Sequence, residues 1–95
     1  MQALVVGSDS IDAIRREAAA VGLQITEHWS GRKPSELRRA VPRRIDVVLV
    51  LVNFVSHEMV RHAREEAARL GIPVLYSRST LSEVREKLHH FAAAA

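Results

Sequence analysis

The sequence predicts an α/β domain: a four-stranded parallel sheet in the order 2-1-3-4 with helices on both faces, of the Rossmann-like or flavodoxin-like class. Two observations carry this expectation. The run Ile45 to Val52 is apolar except for Asp46 and dominated by Val and Ile, the signature of a short strand buried on both faces. Apolar strand-like runs also alternate with helical periodicity along the whole chain, and right-handed crossovers turn that alternation into a parallel sheet covered on both sides. The most apolar strands, the first and third, take the centre.

Each element has its own local reason. Ala3 to Val6 is an apolar run that ends in Gly7-Ser8-Asp9-Ser10, a strand followed by a turn and a helix start. Ile11, Ile14, Ala18 and Val21 recur at helical spacing, with Gly22 as the stop. Leu23 to Trp29 alternates, with Leu23, Ile25 and Glu27 against Gln24, Thr26 and His28, as expected of a half-exposed edge strand. A polar loop, His28 to Pro34, leads into a short helix in which Leu37, Ala40 and Val41 face inward, Arg38, Arg39 and Arg43 face outward, and Pro42 ends it. The buried strand follows, then a helix from about Ser56 to Leu70 closed by Gly71. Ile72 to Tyr76 is the fourth strand, with Pro73 near its start. Thr80-Leu81-Ser82-Glu83 forms a capping box for a last helix whose inner face is Leu81, Val84, Leu88 and Phe91. His89, His90 and the terminal alanines 92–95 are expected to fray.

Ninety-five residues make one domain, residues 1–95, with 47% apolar and 26% charged residues, ordinary for a globular protein. The absence of cysteine excludes disulfides, thiolate chemistry and Cys-rich zinc sites. The first residues carry neither a basic n-region nor a long apolar segment, and no run is long enough for a bilayer span, so a cytoplasmic protein without membrane association is expected. No cofactor and no bound metal are expected.

The net charge of +3 matters less than where it lies. Arg32, Lys33, Arg38, Arg39, Arg43 and Arg44 place six of the fourteen basic residues within thirteen positions, against the single acid Glu36. Without them the remainder has eight basic and ten acidic residues, a net of −2. A local positive patch on a faintly acidic body suits a phosphate-bearing partner, although such runs are also ordinary solvated surface.

Parallel strands bring their carboxyl ends to one rim, where ligands bind in open α/β sheets. Four polar turns converge there. They supply His28, Gly31, Arg32 and Lys33 after the second strand, Asn53, Ser56 and His57 after the third, and Ser77, Arg78, Ser79 and Thr80 after the fourth. Helix starts offer unpaired N–H groups and partial positive charge, so Ser56-His57 and Ser79-Thr80 are candidate phosphate cradles. His57 also has the chemistry of an acid–base catalyst or nucleophile. His28 and His57 are separated by two strand spacings, roughly 10 Å, which suits a ligand between them rather than a shared metal. His57 and His62 point about 140° apart on their helix and do not chelate together. Ser8, Ser56 and Ser77 lack a base and orienting acid and read as caps. Neither a P-loop nor G-x-G-x-x-G is present. Trp29, next to Arg32 and Lys33, has two readings: a platform for a nucleic-acid base, or a packing residue. Phosphoryl-accepting receiver domains carry an aspartate where this chain has Asn53, and an amide cannot accept a phosphoryl group.

His28 with Gly31, then Val55-Ser56-His57, then Ser77-Arg78-Ser79, together form a recognisable series of turns. Over nearly its whole length the chain resembles a bacterial family known as domain of unknown function 2325. That family typically has a histidine before a glycine-rich loop, T-D-x-V-S-H after the third strand, and a Ser/Arg/Ser turn after the fourth. Val52-Asn53 stands here in place of Thr-Asp, Ser8 where glycine is frequent, and Thr80 where glycine often follows the serines. The resemblance implies the fold and the choice of rim residues, and supplies no activity.

The expectation is therefore a non-catalytic anion-binding module that recognises a nucleotide or single-stranded nucleic-acid backbone at the rim, with Arg38, Arg39 and Arg43 as the nucleic-acid face. The alternatives are a small phosphotransferase or hydrolase using His57, and a protein-interaction module. Two edge strands also make a homodimer the expected assembly.

Overall fold

The computed structural model describes all 95 residues. β1 (Gln2–Val6), β2 (Gln24–Trp29), β3 (Val47–Leu51) and β4 (Val74–Ser77) form a parallel sheet in the order β2-β1-β3-β4. Three α-helices cover it: α1 (Asp12–Ala20), α2 (His57–Leu70) and α3 (Leu81–Ala94). α1 and α3 lie on one face, while α2 and the segment after β2 cover the other.

β3 explains the arrangement. All five of its residues are buried. Val47, Leu49 and Leu51 join the core under α1 and α3, whereas Val48 and Val50 join the core under α2. Met59, Ala63 and Ala67 form the inward stripe of α2, and the two alanines let that helix lie close to the sheet. Asp46, the acid beside this apolar run, accepts the Gln2 N–H at 2.7 Å and so ties the start of β3 to β1.

β2 departs from the simple alternation. Ala3 pairs with Ile25 but Leu4 pairs with Glu27, so Thr26 is an extra residue in the edge strand. A one-residue bulge turns every later side chain to the opposite face. Ile25 therefore lies under α1 and α3, while Trp29 is delivered to the α2 side, where it is fully buried.

The helix expected after Pro34 is a 3₁₀-helix of five residues, Pro34–Arg38. The chain then runs extended, leaving Ala40 exposed and only Val41 fully inside. Pro42 denies a helix the N–H it would need, and Glu36 is committed to contacts with the preceding loop. A second short 3₁₀ turn, Val52–Phe54, separates β3 from α2, and β4 starts and ends later than its apolar run suggests.

The ends of α3 hold two further corrections. Thr80 is the N-cap of α3 but its side chain makes no capping bond. Glu83 instead accepts the Arg78 N–H at 2.6 Å. Ala92 to Ala94 continue α3 rather than fray, in keeping with alanine's high helix propensity. No helix is long and apolar enough to cross a membrane.

Candidate functional site

The rim at the carboxyl ends of the strands is built on close backbone approaches. Gly7 donates its N–H to the Trp29 carbonyl at 2.8 Å, closing β1 onto β2. Gly31 has φ +83°, and a Cβ there would stand 2.7 Å from Val55 Cγ1 and 3.0 Å from the Phe54 carbonyl oxygen. The loop after β2 is thus pressed against the loop after β3, and only glycine fits the contact. Ser8, where the family frequently has glycine, has φ +70°, the left-handed conformation that glycine adopts at least cost.

His28 belongs to this framework. Its Nε2 lies 2.7 Å from the Ser8 carbonyl oxygen and 3.3 Å from that of Gly7. A carbonyl only accepts, so the proton is on Nε2 and the ring ties β2 to the turn after β1.

Glu36 is the acid on which the next loop folds. It is 4% exposed, and its carboxylate accepts the N–H groups of Ser30 (2.8 Å), Gly31 (2.9 Å) and Lys33 (3.3 Å) together with the Ser30 hydroxyl. Burial pushes its carboxyl pKa up, but the Ser30, Lys33 and Gly31 N–H groups and the Ser30 hydroxyl outweigh it and hold the pKa below the ordinary carboxyl value.

Ser56 is the N-cap of α2, its hydroxyl accepting the Met59 N–H at 3.1 Å. His57 and Glu58 follow in the first turn, both exposed, with N–H groups that have no partner inside the helix. The imidazole of His57 makes no hydrogen bond to another group. Gly31 to Pro34 face this helix start across a cleft of about 280 Å³ that also includes Ser56, Glu58 and Met59. Arg32 pairs with Asp9 at 2.9 Å, both largely exposed, whereas Lys33 has no carboxylate partner.

The fourth turn is differently committed. Asn53 donates from Nδ2 to Ser79 Oγ at 2.9 Å and accepts the Ser79 N–H at 3.0 Å. Ser77 is buried and donates its hydroxyl to the Arg78 carbonyl at 2.7 Å. The Arg78 N–H goes to Glu83, while Thr80 and the Arg78 side chain are exposed. The Ser79 N–H expected to cradle a phosphate is therefore occupied by Asn53.

Trp29 is 0% exposed, which overturns its reading as a base platform. The His62 ring stacks on it, with centroids 5.7 Å apart and planes at 20°. The Arg39 guanidinium lies 6.0 Å from its ring centroid. His62 Nε2 also donates to the Arg39 carbonyl at 2.6 Å. One turn further along α2, Glu66 accepts the Val41 N–H at 2.9 Å, and Arg69 donates to the Val41 carbonyl at 3.2 Å while pairing with Glu66. The Arg69 hydrogen bond holds the Glu66 pKa below its ordinary value against the opposing effect of burial, helped by the Val41 N–H and the charges of Arg69 and His62. The extended segment 39–41 is thus bolted to α2.

This anchoring displays the arginine segment. Arg44 is engaged by Glu27 at 2.8 Å, but Arg38, Arg39 and Arg43 are exposed and have no carboxylate partner. Residues 30–71, which include this segment and α2, carry nine basic and five acidic residues, whereas the rest of the chain has five and six. A cleft of about 450 Å³ joins the segment to the rim, lined by His28, Ser30, Lys33, Ser35, Glu36 and Arg39.

The structure brings His28, Gly31, Arg32, Lys33, Ser56 and His57 into one half of the rim, and Asn53 and Ser77 to Thr80 into the other. Sequence reasoning missed Glu36, Ser35 and Phe54. The signal for Glu36 was its isolation among six cations. Phe54 is 46% exposed and borders a third cleft, of about 330 Å³, with Ser8, Asp9, Ser10, Ser30 and Arg32.

The family model described as "Uncharacterized protein conserved in bacteria (DUF2325)" matches residues 2–91, and the chain belongs to that family. No curated protein and no solved structure matches it.

Proposed function

We propose that this member of the DUF2325 family is a non-catalytic phosphate-binding module that holds the backbone of single-stranded nucleic acid. One observation carries the reading. Arg32, Arg44, Arg69 and Arg85 are each paired with a carboxylate; of the arginines without such a partner, Arg38, Arg39 and Arg43 share one short segment whose backbone at Arg39 and Val41 is pinned to α2 by His62, Glu66 and Arg69. Guanidinium groups carried on an anchored backbone and without carboxylate partners suit phosphate diesters, which they bind with geometric fit and a gain from counterion release.

Two further features support a strand over a free nucleotide. The cleft beside Lys33 and Arg39 is open and polar, with no apolar residue to line a slot for a lone base. Phe54, exposed at the rim beside Arg32, offers the face on which an unpaired base of a bound strand can stack. That role falls to Phe54 because Trp29 is sealed in the core.

The test is anisotropy of a labelled oligothymidylate at low salt, with mononucleotides as competitors. Wild-type protein is expected to bind, and Arg38→Ala/Arg43→Ala to bind at least tenfold more weakly, on the order of two lost phosphate contacts. Arg16→Ala, on the opposite face, should match wild type. Displacement by a single mononucleotide at a concentration that leaves the arginine double variant unaffected would move the activity to a specific rim pocket and refute the backbone reading.

A further inference from the structure

We infer that the cleft between the rim and the arginine segment takes a terminal phosphomonoester, so that the protein recognises a phosphorylated end of the strand; the inference rests on the backbone reading above. The cleft is the largest on the molecule, about 450 Å³, and none of its six lining residues is apolar. No Phe, Tyr, Trp or aliphatic side chain lines it, so a nucleoside would find no apolar surface there. A small, highly charged group finds several donors.

Those donors are free. Lys33 has no carboxylate partner and Arg39 none, its guanidinium being steadied against the Trp29 ring. The Ser35 hydroxyl makes no hydrogen bond within the protein and is exposed. The one acid in the cleft, Glu36, turns both carboxylate oxygens onto the loop donors of Ser30, Gly31 and Lys33. Its acceptor sites are therefore taken up from inside, and the exposed side chains of the cleft are an ammonium, a guanidinium and a hydroxyl. A phosphomonoester carries close to two negative charges at neutral pH and three acceptor oxygens, against one charge and two free oxygens for a phosphodiester. Two cations and a hydroxyl around one pocket match the former. Arg39 also belongs to the arginine segment, so a strand lying across Arg38 and Arg43 would bring its end to this cleft.

Two measurements test the inference. In the first, backbone amide shifts are followed while inorganic phosphate is titrated into the wild-type protein and into Lys33→Gln. Saturable shifts confined to residues around 28–39, and lost in the variant, are expected; their absence in wild type overturns the inference. In the second, matched oligonucleotides ending in a 5′-phosphate, a 3′-phosphate or only hydroxyls are compared at constant ionic strength, with a hydroxyl-ended strand one nucleotide longer as the control for added charge. One of the phosphorylated strands is expected to bind roughly tenfold tighter than the control, the worth of one charge-assisted contact, and the ratio should collapse toward one in Lys33→Gln and fall in Ser35→Ala. Equal binding of all strands overturns end recognition while leaving the backbone reading intact. Phosphate shifts in the cleft with no oligonucleotide binding would instead refute the backbone reading and leave the phosphomonoester site standing.

Discussion

Replacing Glu36 with alanine removes the group on which the loop after β2 is folded. Its two shortest backbone bonds, to the Ser30 and Gly31 N–H groups at 2.8 and 2.9 Å, are each worth about 1.5–3 kcal/mol as hydrogen bonds to a charged acceptor. Ser30 and Gly31 are only half-buried, so water will recover part of the loss, and the expected cost is about 2–4 kcal/mol. For a domain of this length that corresponds to a fall in Tm of at least about 8 °C. Glu36→Gln keeps one acceptor oxygen and should lose about half as much. Because the folded pKa lies below the ordinary carboxyl value of 4.5, the stabilisation is fully present above pH 4.5 and is lost as pH falls through the folded value. Thermal unfolding followed by circular dichroism from pH 3 to 8 checks both points. The gap between wild type and Glu36→Gln should be flat near neutrality and narrow in acid. A Tm change below about 3 °C for Glu36→Ala at pH 7, or a gap that does not change in acid, would refute the reasoning.

In urea denaturation, Gly31→Ala should destabilise by about 3 kcal/mol or more, since it combines left-handed strain with a Cβ driven into Val55 and the Phe54 carbonyl; Gly22→Ala, at φ +81° with open space around it, should cost only about 1–2 kcal/mol. Asn53→Asp, which installs the family's usual acid, should change stability by less than about 1 kcal/mol, because the Ser79 hydroxyl can reverse and donate to the new carboxylate; a loss comparable to that of Asn53→Ala would contradict this. His62→Ala gives up the Trp29 stack and the bond to the Arg39 carbonyl. Its expected cost is about 1–2 kcal/mol, and hydrogen exchange at the Val41 amide should speed up as the segment loosens.

What could be read from the sequence was whatever depends on a residue and its near neighbours. The β-branched run of β3, the Ser56 cap and the Gly71 stop, which has φ +69°, are of this kind, and they place the rim correctly. What could not be read depends on a distant partner. Trp29 shares the parity of Ile25, so alternation puts both on one face; only pairing with β1 creates the bulge at Thr26 that separates them. The segment after Pro34 has a helical pattern, yet Glu36 is committed to the preceding loop, and Val41 is held by Glu66 and Arg69 from a helix twenty-five residues or more away. The same holds for charge. Six cations within thirteen positions look equivalent until Asp9 engages Arg32 and Glu27 engages Arg44. At the fourth turn, Thr80 and Glu83 have the spacing of a capping box, but the carboxylate finds the Arg78 N–H.

The salt dependence of strand binding tests the central claim most directly. For wild-type protein and for Arg38→Ala/Arg39→Ala/Arg43→Ala, the logarithm of the association constant is measured against the logarithm of salt concentration. Each phosphate neutralised on a single strand contributes a slope of about −0.7. If the three free arginines hold the backbone, the variant's slope should be shallower than wild type by about 2. A slope unchanged by their removal would mean that the strand is held elsewhere, and the arginine segment would revert to solvated surface.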